Sequence, residues 1–421
     1  MKILLNIRES LINYMISGIK EKHSKSLGLE AEHFILRNDT LKAVPYFGNR
    51  GIATLLRKLI EVIPESIPLI QDKELLGFTT PDYLISLEPA SQLEISINAT
   101  EDISRIDRIY RDFLDKLYKI LERYDYGCFN IGTQPVSKVS SIDLIPKERY
   151  RLMDRYFEEI GSRGIEMMRG TCSVQVSIDY FSEEDFRNKI QAISFYTPLL
   201  KILSDNSYFF EGKKLNYHLA RTDIWNHTDK SRCGVLPNIF KENYGFGDYA
   251  DFLLNMPLIY IENENGLFYT GNQKVKEIYS DRCPNKKGIE HIQSMAFPDV
   301  RAKKFLEIRS ADSMPLEYTI AYCAMIKGLL YSDEGLYYSK IKIKEKKLQD
   351  QDIRDTEKNL MQYGWDGVIY GDPVKKAVDK MIIIAENNLN SDEKEYLEYL
   401  RYIADHRGFG GINNENKRYS C

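Results

Sequence analysis

The chain contains 421 residues, 43% of them hydrophobic, enough for a large core in one or two domains. Lys and Arg total 58 against 62 Asp and Glu; the net charge of -4 and pI near 6.0 exclude the polyanion-binding surface that a nucleic-acid partner requires. No apolar run reaches the ~20 residues of a membrane span, and the six Cys are scattered without a CxxC pair, so neither a membrane protein nor a disulfide or zinc scaffold is expected.

The opening MKILLNIRESLINYM lacks a small-residue cleavage site and predicts an amphipathic helix over residues 1–23 rather than a signal peptide, so the expected location is cytoplasmic. A strand follows over Leu27–Leu36, then a helix over Phe47–Ile63 ended by Pro64. Tyr83–Ile97 reads as a second strand, and Ile103–Tyr124 as a helix with apolar residues at helical spacing. A short strand over Phe129–Gly132 and a helix over Pro146–Ile160 lead to the alternating strand Thr171–Asp179. Ser182 is placed to cap a helix over Glu183–Leu203. Residues 204–245 are polar and loop-rich, which in a globular chain points to function. Strand character returns over Tyr249–Ile261 and at Phe268, and Val300–Arg309 closes the sheet. Helices are expected over Leu316–Tyr331, Leu348–Tyr363, Pro373–Asn388 and Ser391–His406, ahead of a flexible tail, GFGGINNENKRYSC. The strands alternate rather than being uniformly apolar, which favours an α+β fold with an antiparallel or mixed sheet.

Four stretches share one design. In Thr171–Asp179, Thr171, Ser173, Gln175, Ser177 and Asp179 fall on one side, opposite Cys172, Val174, Val176 and Ile178. Glu30 and Glu32 share a face in GLEAEHF; Gln92, Glu94 and Ser96 share one in LEPASQLEIS, joined by Glu88 if the strand runs through Pro89; Glu307 and Arg309 share one in KKFLEIRSAD. Each alone reads as a solvated sheet face. Together their polar sides carry five Glu, one Arg and no Lys. Carboxylates two apart on a strand sit roughly 6–7 Å from each other and repel by about 2–2.5 kcal/mol per pair at an effective dielectric of ~20. If these faces converge, the missing partner is a divalent cation, and Mg²⁺ commonly bridges such carboxylates to substrate phosphates.

GLEAEHF, LEPASQLEIS, IGTQP with IPKERY, MMRGTCSVQVSIDY, ARTDIWNHTDKSRCGVLP and HIQSMAFPDVRAKKFLEIRSADSMP occur in this order. As a collinear set they resemble the plant and bacterial type of glutamate–cysteine ligase, within the wider carboxylate–amine ligase family, from about residue 27 to 332 and weakly through the helical tail. The resemblance implies a glutamine-synthetase-like α+β fold, with a curved, mainly antiparallel sheet shaped as a funnel and flanked by helices. It implies a catalytic domain over 1–332, with a helical C-terminal region over 333–421 packed on it. It also implies an enzyme that uses ATP and Mg²⁺ to join the γ-carboxylate of glutamate to an amine, all small-molecule substrates, in glutathione biosynthesis. Cysteine is the family's usual acceptor; another amino acid, a small amine or a peptide amine would use the same ATP machinery. A nucleotide-binding relative without turnover is the contrasting reading, and the intact Glu set argues against it.

By the resemblance, Glu30, Glu32, Glu94 and Glu307 are the foremost metal ligands, with Glu88 beside them. Gln175, Gln92 and Thr171 are expected to face the nucleotide, although an interstrand hydrogen-bond ladder explains the two Gln equally well. Arg309, Arg221 and Arg232 are expected to hold the glutamate α-carboxylate and phosphate oxygens as guanidinium forks, with ion pairs to Asp223 or Asp229 as the alternative for the last two. Arg301 and Lys304 fit a solvent-facing position as well as a site. The chain departs from the family where Gly170 replaces a common Arg, Ala90–Ser91 replaces two glycines, and Ser177 replaces a common Asn. His33 and Cys172 point to the apolar side and are expected in the core; Trp225 is either a pocket floor or packing.

Overall fold

Alternating side chains lay down nine strands that form one sheet: β1 (Leu27–Arg37), β2 (Ile67–Gln71), β3 (Glu74–Thr79), β4 (Tyr83–Leu87), β5 (Leu93–Thr100), β6 (Tyr126–Phe129), β7 (Ser173–Ile178), β8 (Val300–Ala302) and β9 (Leu306–Asp312). The computed structural model describes residues 2–21, 25–161, 163–264 and 266–409. The sheet order is β8-β9-β7-β1-β5-β4-β3-β2, with β6 paired to the far end of β1, and every pairing is antiparallel. The expected α+β architecture is therefore present.

One face of the sheet is apolar because successive side chains alternate. Leu29 and Ala31 of β1, Ile95 and Ile97 of β5, Val174 and Val176 of β7 and Ile308 of β9 are buried in the main core. Helices Ile103–Leu121, Glu183–Leu203 and Leu316–Leu330 cover this side. Leu316–Leu330 is buried nearly all round, as a helix without a polar face must be. It also carries the C-terminal helices Val374–Asn387 and Leu397–His406 against its outer side. Ser182 caps Glu183–Leu203 by accepting the Asp185 backbone N–H at 3.0 Å, as the sequence predicts.

The structure revises several predicted elements. Tyr83–Ile97 is not one strand: β4 and β5 form a hairpin whose turn is Glu88–Gln92. The hairpin β2–β3 was not anticipated, because its two-residue turn is Asp72–Lys73, both at positive φ (51° and 71°) but without the glycine that signals such turns. The helix predicted from Phe47 starts at Ile52, after turns that include Gly48 at φ 99°. The short strand lies at Tyr126–Phe129 rather than Phe129–Gly132. Tyr249–Asn255 belongs to a helix, Phe246–Asn255, and strand pairing begins only in the hairpin Pro257–Asn263 with Gly266–Lys274. Val300–Arg309 is likewise a hairpin, β8–β9. An additional helix spans Asp333–Lys346. The first helix is Lys2–Ile16; of the tail expected to be flexible from Gly408, Phe409 is instead buried against Tyr318, and the rest lies outside the described residues.

His33 and Cys172 are both fully buried, as their strand parity predicts. Cys172 packs with Phe34, Leu36 and Phe129. His33 hydrogen-bonds the Leu93 carbonyl at 2.8 Å and the Tyr110 hydroxyl at 2.7 Å, and burial depresses its pKa from 6.5 to about 4. A base whose folded pKa is lowered contributes stability that is fully present above pH 6.5 and is lost as pH falls towards about 4, since the unfolded chain takes up the proton that the fold refuses. That component amounts to about 2 kcal/mol by pH 5. Denaturant titrations of the native chain and His33→Asn at pH 7 and pH 5 are expected to show the gap between them shrinking by that order; a gap independent of pH would contradict it.

Candidate active site

The polar face of the sheet is the floor of a cavity of about 220 Å³, room for a small-molecule ligand rather than a few waters. Glu30 of β1 lies opposite Gln175 of β7 and Ser96 of β5, and Glu32 lies directly opposite Glu94. Glu32 accepts hydrogen bonds from the Ser173 backbone N–H at 2.7 Å and from Gln175 at 3.1 Å. Glu94 accepts from the hydroxyls of Ser86 at 2.9 Å and Ser96 at 3.3 Å. Burial, followed by neighbouring carboxylates, raises the pKa values of all three: Glu32 to about 7 with Glu88 as the carboxylate that acts on it most, Glu30 against Glu307, and Glu94 well above the usual range against Glu30 and Glu88. These carboxylates are short of cations.

Glu88 does not continue the strand. It opens the β4–β5 turn, where Ser91 N–H returns to the Glu88 carbonyl at 3.0 Å and Glu88 N–H donates to the Gln92 carbonyl at 2.9 Å. This geometry still delivers Glu88 to the cavity. Ser91 adopts φ 70°, the left-handed conformation that favours glycine, so the departure from the family's glycines falls on the residue where backbone geometry would use one. Gln92 fixes the turn: its Oε1 accepts from Ala90 N–H at 2.8 Å, and its Nε2 donates to the carbonyls of Met168 and Thr171. Thr171 in turn donates to the Met167 carbonyl at 2.8 Å. Both residues touch the cavity, yet their polar groups bond to the protein.

At the other edge the charge balance reverses. Glu307 is fully buried between three cations: Arg301 at 2.6 Å, Lys303 at 2.8 Å and Arg309 at 2.9 Å. They hold its carboxyl well below the usual range in spite of burial. The β8–β9 hairpin sets Arg301 directly opposite Glu307. A bulge at Arg309–Ser310 lets Arg309 N–H donate to the Asp299 carbonyl, while the Arg309 side chain also reaches Gln175. The extra residue changes parity, so Asp312 pairs with Ser173 and accepts from the Ser207 hydroxyl at 2.6 Å and Asn206 N–H at 3.1 Å.

Short helices form the wall. Glu148–Glu159 contributes Arg149, Tyr150 and Met153, Gly164–Gly170 contributes Met167 and Met168, and Ala220–Asn226 contributes Trp225. The structure thus gathers Glu30, Glu32, Glu88, Glu94, Gln92, Gln175, Thr171 and Arg309 around one cavity. Glu307 lies beneath the lining with its oxygens taken up by cations, and Arg221 stands behind Trp225 in a smaller side chamber. Arg232 is a correction. It is fully buried outside the cavity, where it binds Asp229 at 2.7 Å, the carbonyls of Met295 and Pro257, and the Tyr156 hydroxyl. Two further arginines line the cavity: Arg149, which IPKERY carries without a spacing cue, and Arg301, for which the sequence leaves site and solvent open and which the hairpin brings to Glu307. Among the described residues no three His, Cys, Asp or Glu side chains converge into a ready metal cage, and no helix is long and apolar enough to cross a membrane.

The fold is shared with a crystal structure of the glutamate–cysteine ligase of Francisella tularensis in complex with AMP, at a TM-score of 0.55 and 11% identity over 96% of this chain and 86% of that one. The sheet is of the kind found in that ligase. The chain belongs to glutamate–cysteine ligase family 2, whose model matches residues 26–418. Chloroplastic glutamate–cysteine ligase A of Oryza sativa subsp. indica is 31% identical over 336 residues, 78% of this chain and 68% of the relative. The chloroplastic glutamate–cysteine ligase of Arabidopsis thaliana is 32% identical over 336 residues, 78% of this chain and 64% of the relative.

The two kinds of carboxylate should respond oppositely to neutralisation. Glu307→Gln strands three cations in a buried site and is expected to lower the melting temperature, with a loss of ~3–5 kcal/mol, as well as turnover. Glu94→Gln removes one member of a repelling cluster; its melting temperature should not fall, while turnover drops by ~100-fold or more. Thermal melts paired with phosphate-release assays check both, and a strongly destabilised Glu94→Gln would contradict the charge assignment.

Proposed function

We propose that the chain is an ATP-dependent glutamate–cysteine ligase, which joins the γ-carboxylate of L-glutamate to the amine of L-cysteine through γ-glutamyl phosphate, the first step of glutathione biosynthesis. The observation that carries the reading is the cavity itself, in which an under-compensated acidic floor meets Arg149, Arg301 and Arg309. A carboxylate is a poor acyl donor; transfer of the ATP γ-phosphoryl group to it creates an acyl phosphate that an amine can attack, expelling phosphate. Bringing two anions together calls for positioning and charge neutralisation more than for covalent catalysis by the protein. No thiolate is required, in keeping with the buried Cys172.

The donor set suits Mg²⁺. Glu30, Glu32, Glu88 and Glu94 offer hard oxygen ligands whose mutual repulsion a divalent cation would relieve. Bound there, Mg²⁺ would neutralise phosphate oxygens and screen the incoming carboxylate. Glu307 would join this set only by giving up one of its cations; its role in the present arrangement is to orient Arg301 and Arg309 towards the anions. Gln175 links Glu32 to Arg309 and so couples the acidic and basic parts of the floor. The apolar wall of Met153, Met167 and Trp225 limits water at the acyl phosphate. A cytoplasmic location belongs to this reading; the plant relatives are named as chloroplastic.

Glutamate labelled with ¹⁸O in its γ-carboxylate is expected to deliver one labelled oxygen to inorganic phosphate during turnover with cysteine and ATP, read by mass spectrometry. Chelation of divalent cations should stop the transfer and Mg²⁺ should restore it. Label in AMP, or ATP consumption independent of glutamate, would refute the mechanism.

A further inference from the structure

Behind the basic edge of the floor lies a group of buried charges that the ligase chemistry leaves unused. Glu357 belongs to helix Asp350–Tyr363, beyond the last strand of the sheet in the chain, and its side chain is fully buried. One of its oxygens pairs with Lys201 of helix Glu183–Leu203 at 2.6 Å, and the other accepts from the Asn226 amide at 3.1 Å. Lys201 is 3% exposed and also pairs with Asp299 at 2.9 Å. Burial raises the Glu357 pKa in spite of Lys201. For stability alone, an apolar pair of similar volume would serve as well or better, because it has no charges to desolvate. What an apolar pair lacks is two directed acceptors on one side chain.

Both arms of Glu357 end at the cavity, although Glu357 itself does not line it. Asn226 closes helix Ala220–Asn226, whose seven residues are too few to hold their shape by their own hydrogen bonds. Its neighbour Trp225 forms part of the cavity wall, with the guanidinium groups of Arg221 and Arg309 at 5.4 and 5.8 Å from its ring centre. On the other arm, the Asp299 carbonyl accepts from Arg309 N–H at 2.9 Å, at the bulge from which Arg309 enters the cavity. Trp225, Arg221 and Asp299 meet around the small side chamber, so the two arms close on each other.

We propose that Glu357 is a positioning residue for the active site: its two oxygens fix Trp225 through Asn226, and Arg309 through Lys201 and Asp299. The helical segment beyond residue 332 thereby sets the geometry of the cavity without touching a substrate. The proposal rests on the reading of the chain as a glutamate–cysteine ligase for its effect on turnover, whereas the placement of Trp225 is measured without turnover.

Asn226→Ala cuts one arm at a half-buried position, and Glu357→Gln keeps the side-chain shape but leaves one acceptor oxygen for two donors. Each is made in a Trp365→Phe background, where Trp225 is the one remaining tryptophan. Acrylamide quenching of its emission is expected to rise in both variants, and kcat/KM for glutamate to fall by about 10–100-fold, the cost of a misplacement of the order of 1 Å. Both substitutions cut the same link, so the double variant should lose about as much as the more damaged single one. Lower melting temperatures with native quenching and native kcat/KM would mean that Glu357 serves stability alone, and would overturn the proposal; additive losses in the double variant would do the same. Should Glu357→Gln fail to fold, Asn226→Ala decides between these outcomes. If the native chain does not join glutamate to cysteine, the functional reading fails, and quenching still shows whether Glu357 holds Trp225.

Discussion

The structure depends on an unequal distribution of charge over one face of one sheet. Glu307 is enclosed by Arg301, Lys303 and Arg309, and its negative charge is stabilised in spite of complete burial. A few strands away, Glu30, Glu32 and Glu94 are pressed together with hydroxyls, an amide and a backbone N–H for company, and their pKa values rise. Charges that face one another in a poorly solvated site interact far more strongly than in water. The fold therefore holds an acidic cluster whose repulsion a cationic ligand would relieve, beside a basic group already set for anions. A metal–phosphate complex suits both halves at once.

Such a cluster survives because the sheet beneath it is anchored elsewhere. The opposite face is packed against helices, chiefly Leu316–Leu330, whose burial is almost complete. Apolar burial of this extent outweighs a few kcal/mol of repulsion on the polar face. Strands give the floor a regular spacing, while two irregularities adjust it. The β4–β5 turn brings in Glu88, and the bulge at Arg309–Ser310 moves Asp312 to the polar side, where it secures the Asn206–Ser207 loop.

The wall is made of short helices and loops, which regular hydrogen bonding alone would not hold. Arginines with little or no exposure serve as posts. Arg232 ties the 228–233 loop to Tyr156, Met295 and Pro257; Arg169 ties helix Gly164–Gly170 to Asp154 and the Ile142 carbonyl. A guanidinium has five N–H donors in a planar fork, enough to satisfy several carbonyls at once. This explains why arginines that match a recognition pattern in sequence divide in space: Arg309 and Arg221 face cavities, and Arg232 does not.

Strand alternation was legible in the sequence because it is a local property with a period of two residues. It placed Glu30, Glu32, Glu94, Gln175 and Arg309 on one polar face and His33 and Cys172 among buried residues, and the order of six motifs pointed to the family. What tertiary structure decided is how faces meet. The pairing of Arg301 with Glu307, the position of Glu88 in a turn, the burial of Arg232 away from the cavity and the convergence of Arg221, Trp225 and Asp299 all arise between segments distant along the chain. No periodicity encodes them, since they depend on hairpin register, on a bulge that resets parity, and on which loop a helix carries to the cavity's edge.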